Sequence, residues 1–93
     1  MKNIEVVKNF IYGRYGQSGS MHTDGNRLWS YSTCIAQKSN KGIIVNCSKY
    51  SVTTSKQQHY LRREIAGQCR NYVNVGENVH IPMNTQDLMK YLD

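Results

Sequence analysis

The stretch LWSYSTCIAQKSNKGIIVNCSKYSVTTSKQQHYLRREIAGQCRN, residues 28–71, contains two hydrophobic periods, and the change from one to the other decides the fold. At its start Trp29, Tyr31, Thr33 and Ile35 alternate with Leu28, Ser30, Ser32, Cys34 and Ala36. A period of two sets an aromatic and β-branched face against a small-residue face, so a strand is predicted over about Leu28 to Gln37. Ser39, Asn40, Lys41 and Gly42 then make a turn, and Ile43, Ile44, Val45, Asn46 and Cys47 supply a second strand. So short a link requires antiparallel pairing. After Tyr50 the period lengthens: Leu61, Ile65, Cys69 and Tyr72 fall at i, i+4, i+8 and i+11, with Ala66 beside them. That is one stripe of an amphipathic helix over about Lys56 to Asn71. Ser51, Thr53, Thr54 and Ser55 precede it as candidate N-caps, because a hydroxyl accepts from the backbone amides that a first helical turn leaves unpaired.

Upstream, Ile4, Val6, Val7, Phe10, Ile11 and Tyr12 are read as an opening strand, although the spacing of 4, 7 and 11 also suits a short helix. Gly13, Gly16 and Gly19, interleaved with serines, predict a loop. Asp24-Gly25-Asn26 predicts a hairpin between a short strand near Met21 to Thr23 and the longer one that follows. Downstream, Val73, Val75, Val79 and Ile81 suggest a further strand or hairpin about Gly76, interrupted by Pro82. Thr85-Gln86-Asp87-Leu88 reads as the start of a short C-terminal helix, with Asp87 near its positive end. The expected architecture is therefore a single α+β domain over residues 1–93. A small antiparallel sheet of about four to five strands packs on one main helix, and a short helix closes the chain.

The 93 residues suffice for one core, and twelve Lys and Arg against six Asp and Glu give a net charge of +6. Positive potential favours anionic partners, though modest charge also serves solubility. The three cysteines, Cys34, Cys47 and Cys69, are odd in number and widely spaced. They fit small core side chains better than a disulfide framework or a zinc site, which implies a reducing compartment. No stretch approaches the roughly 20 apolar residues that span a bilayer, so the expectation is a cytosolic protein, in whatever cell makes it, with no membrane partner.

Catalytic motifs are missing from the sequence. His22, His59 and His80 are scattered, and no nucleophile elbow, phosphate-binding loop, dinucleotide fingerprint or metalloprotease motif occurs. The expectation is a protein that is not an enzyme and uses neither metal nor cofactor. Lys49, Tyr50, Thr53, Thr54, Ser55 and Lys56 combine hydroxyls, cations and a helix N-terminus, a chemistry competent for an anion. On the helix that follows, Arg62, Arg63 and Arg70 extend the cationic surface, and tyrosines next to basic residues offer faces on which bases stack. The plainer account is that the hydroxyls only cap the helix and the tyrosines pack on the sheet.

The run from Trp29 to Ala36, then Val45-Asn46 and Lys49-Tyr50-Ser51-Val52-Thr53-Thr54-Ser55-Lys56-Gln57-Gln58, resembles small uncharacterised proteins of tailed bacteriophages and related mobile elements. The likeness covers roughly Phe10 to Tyr60. It implies a phage-encoded accessory protein that inhibits a host defence system by stoichiometric binding, as anti-CRISPR proteins do, with a host defence protein or ribonucleoprotein complex as partner. A small DNA- or RNA-binding regulator and a sponge for an anionic nucleotide signal are the alternatives. An exposed edge strand leaves a homodimer open.

Overall fold

The computed structural model describes residues 1–68 and 71–92. In chain order the elements are α1 (Asn3–Ile11), β1 (Gly16–Gln17), β2 (Met21–Thr23), β3 (Arg27–Ser30), β4 (Thr33–Ser39), β5 (Gly42–Asn46), α2 (Val52–Gly67) and β6 (Tyr72–Val75). A single 3-10 turn, Met89–Tyr91, follows. The protein is α+β, and its six strands lie in sequence order in one sheet. β1 to β5 form an antiparallel meander, as the short links required. β6 pairs with β5 in parallel, because α2 returns the chain to the end of the sheet from which β5 set out.

Five expectations are corrected. The helix expected over about Lys56 to Asn71 runs from Val52 to Gly67, because Ser51 caps it ahead of the later hydroxyls, and Tyr72 belongs to β6 instead of its apolar stripe. Ile4 to Tyr12 is helical, not extended: the spacing of Val6, Val7, Phe10 and Ile11 gives α1 one buried face. Glu5 also supports its first turn by accepting from the Lys2 amide at 3.0 Å. The strand expected over 28–37 is two strands, β3 and β4, joined through Tyr31 and Ser32. Tyr31 takes a positive φ of 55°, a conformation that tight hairpins demand and that glycine or asparagine usually supplies. The sheet has six strands and is mixed, since β1 lies inside the glycine loop and β6 joins in parallel. The C-terminal helix is only the turn at Met89–Tyr91, and no strand follows Gly76 among the described residues.

The two faces of the sheet are covered differently. On the front, Val6, Val7, Phe10 and Ile11 of α1 and Leu61 and Ile65 of α2 pack against Met21, Leu28, Ile35, Ile43 and Val45. On the back, Ile44 joins Cys34 and Val75, and the cover comes from Ile81 and Leu88 with Trp29 partly buried beside them. Ile44 thus faces away from its neighbours Ile43 and Val45, as a strand's period of two requires. The back cover is a strap of irregular chain from Gly76 to Leu92. At its start Gly76 has φ +81°, and a Cβ there would come within 2.6 Å of Ser48 Oγ and 2.8 Å of Ile81 Cδ1, so no larger residue fits.

Candidate functional site

Ser51 is the N-cap of α2: its Oγ accepts from the Thr54 amide at 3.2 Å and donates to Thr54 Oγ1 at 3.1 Å. Thr54 is buried, with its hydroxyl 3.1 Å from Ser30 Oγ on β3. One turn on, buried Gln57 accepts from Ser30 Oγ and donates to Ser20 Oγ at 2.7 Å. Gln58 donates to the carbonyls of Asn46 (2.7 Å) and Ser48 (3.0 Å). The start of α2 therefore docks on the sheet through polar side chains whose bonds are met internally, as burial of amides and hydroxyls requires.

Tyr50 is tied in the same way. Its hydroxyl accepts from Asn46 Nδ2 at 3.0 Å and donates to the Ile81 carbonyl on the strap. Burial raises its pKa above the ordinary phenol value, against the lowering effect of the Asn46 and Ser48 side chains. Of the residues singled out in sequence, Tyr50 and Thr54 are thus bonded within the fold, whereas Lys49, Thr53, Ser55 and Lys56 remain exposed. Arg62 and Arg63 are both exposed but diverge. Arg62 lies near Cys47, where its charge lowers the thiol pKa that burial, the larger effect, raises. Arg63 lies toward α1. Arg70, like Cys69, lies outside the described residues.

What the fold assembles is a strip along the outer side of α2. A groove of about 520 Å³ is lined by Lys49, Tyr50, Val52, Ser55, Lys56, His59 and Tyr60. A second, of about 500 Å³, is lined by Tyr60, Arg63 and Glu64 together with Lys2, Asn3 and Ile4 at the start of α1. They meet at Tyr60, which is 38% exposed. Lys2, Lys49, Lys56 and Arg63 give the strip four cations, against the single acid Glu64. The spacing of Val52, Lys56, Tyr60 and Arg63 marks this face of α2 in the sequence. The contribution of Lys2 comes from another element, and no local pattern announces it.

Elsewhere the titratable groups are dispersed. Among the described residues, no cluster of three His, Cys, Asp or Glu side chains has the arrangement to hold a metal ion. Burial pushes Cys34 up to about 11, so it stays a protonated thiol at neutral pH. No helix among the described residues is long and apolar enough to cross a membrane.

With this geometry goes a family assignment. A family model described as "Family of unknown function (DUF8033)" matches residues 2–73, from the start of α1 into β6. The chain belongs to that family. No curated protein and no solved structure matches the chain.

Proposed function

We propose that the protein is a stoichiometric, non-catalytic binding module that engages an anionic macromolecule through the outer strip of α2. The observation that carries this reading is the alignment of Lys49, Lys56, Arg63 and Lys2 along two grooves that meet at an exposed tyrosine. Cations in a row match the repeating charge of a nucleic-acid backbone, and their release of counterions makes such binding strongly dependent on salt. In the setting that the phage resemblance implies, the partner is nucleic acid held in a host defence ribonucleoprotein, and binding there blocks it.

The test is fluorescence anisotropy with a labelled oligonucleotide at rising salt, beside the charge-reversed variant Lys49→Glu/Lys56→Glu/Arg63→Glu. Neutralising about three phosphates gives a log–log salt slope of roughly −2 to −3, and the variant is expected to lose most of the affinity and most of the slope. Binding that ignores salt, or that the variant retains, rejects the strip as the contact surface. Capture from host lysate then distinguishes a ribonucleoprotein from free nucleic acid as partner.

A further inference from the structure

Resting on that reading, we infer that the strip takes single-stranded nucleic acid, with one base stacked on Tyr60 and the flanking phosphates in the two grooves. Residues three and four apart on a helix are neighbours on one face, so Lys56 and Arg63 lie one turn to either side of the Tyr60 ring. The grooves place one of these cations on each side: Lys56 with Lys49, and Arg63 with Lys2. An aromatic face between two phosphate contacts is the arrangement by which single strands are held without sequence readout.

A duplex fits this surface poorly for two reasons. Its bases are already stacked on each other, so the ring gains nothing from it. A helix that reads a duplex must also enter the major groove and offer amide or guanidinium groups to base edges. Here the start of α1 walls one side of the α2 strip, where Lys2, Asn3 and Ile4 share a groove with Tyr60. The two glutamines of α2 suited to base edges, Gln57 and Gln58, are buried and bonded to Ser20, Ser30, Asn46 and Ser48, and the exposed guanidinium groups of Arg62 and Arg63 diverge toward Cys47 and α1. Glu64, the acid in the lining, opposes a bare polyanion but can accept from the amino group of an unpaired base.

The experiment compares a 12-nucleotide single strand, the 12-base-pair duplex and inorganic polyphosphate, each with the wild-type protein, Tyr60→Leu and Tyr60→Phe. Leucine keeps an apolar, helix-forming side chain without a π face, and circular dichroism with thermal melting checks that both variants fold. The single strand is expected to bind about tenfold more tightly than the duplex. Tyr60→Leu should weaken it roughly 5- to 100-fold at unchanged salt slope, Tyr60→Phe less than about threefold, and neither should alter polyphosphate binding. Preference for the duplex, or a Tyr60→Leu variant that holds the single strand as the wild type does, overturns the inference while salt-dependent binding of all three anions keeps the broader reading. Failure of all three to bind overturns both.

Discussion

The two faces of the sheet are closed by different means. On the front, α1 and α2 bury a continuous apolar set from Val6 to Ile65, and their hold comes from area. On the back, a strap that is irregular but for one 3-10 turn sets Ile81 and Leu88 on Cys34, Ile44 and Val75 and is stitched down by single hydrogen bonds. Ser48 Oγ accepts from the Ile81 amide at 2.9 Å and points its hydrogen at the carbonyls of Gly76 (3.1 Å) and Val79 (3.3 Å). Gln37 accepts from the Leu88 amide at 2.7 Å and donates to Asp87 at 3.0 Å. Trp29 donates to Gln86 at 2.9 Å. Burial by area spreads its contribution over many contacts, whereas a stitched segment opens when one stitch fails. The back should therefore behave as a separate unit of lower local stability.

The largest effect is expected on the front. Leu61→Ala removes a fully buried side chain between α2 and the sheet, and should destabilise the whole protein by about 2–5 kcal/mol. Urea unfolding followed by circular dichroism should shift to lower urea, with Trp29 emission changing at or before that transition; Trp29 emission that outlasts the loss of circular dichroism would mean that the front does not govern the back.

Ser48→Ala sharpens the contrast. It leaves the Ile81 amide and two strap carbonyls without their partner, at a cost of about 1–3 kcal/mol. Hydrogen exchange should quicken over residues 76–92 and stay unchanged in α1, since only the stitched side is affected. Equal acceleration on both sides would show the strap to be integral to the main core.

The smallest effect is a pH dependence. Asp87 accepts from the Met89 amide at 3.0 Å and from Gln37, and these bonds, the backbone one foremost, hold its pKa below the ordinary aspartate value. A depressed folded pKa stabilises above the unfolded value of about 3.9 and ceases to do so as pH falls through the folded value. Trp29 emission, which reports on the strap, should thus change below about pH 4, whereas Asp87→Asn should lose most of that change.

What the sequence announced and what it hid follow the same division. The β2–β3 and β4–β5 turns, the capping role of the hydroxyls and the presence of α2 were legible, because each depends on neighbours in the chain: a turn at Asp24-Gly25-Asn26, another at Ser39 to Gly42, and a cap one residue before Val52. α1 was misread because its β-branched composition outweighed a spacing that already fitted a helix. The break at Tyr31 was invisible, since nothing at that position supplies the residue types that tolerate positive φ. The strap could not be read at all: Ile81 and Leu88 are anchored by contacts with Cys34, Ile44 and Val75, so no period connects them. At the site, Lys49, Lys56 and Arg63 were legible as exposed cations because each lies on or beside α2 in the chain. The hydroxyls of Tyr50 and Thr54 look free in one dimension and are consumed by Asn46, Ile81, Ser30 and Ser51 in three, which is closer to the plainer account in which they serve the fold.

The parallel β5–β6 pair also fixes an order of assembly. Every contact in it spans the whole of α2, whereas the β2–β3 and β4–β5 hairpins close over a few residues. Local pairings form first and distant ones wait for the intervening chain. During synthesis the meander can therefore form while β5 is still an open edge, with the back of Ile44 uncovered until β6 and the strap have left the ribosome. A nascent chain that has emerged from the ribosome only as far as Gly67 holds out an unpaired, apolar strand, the state most exposed to mispairing with its neighbours.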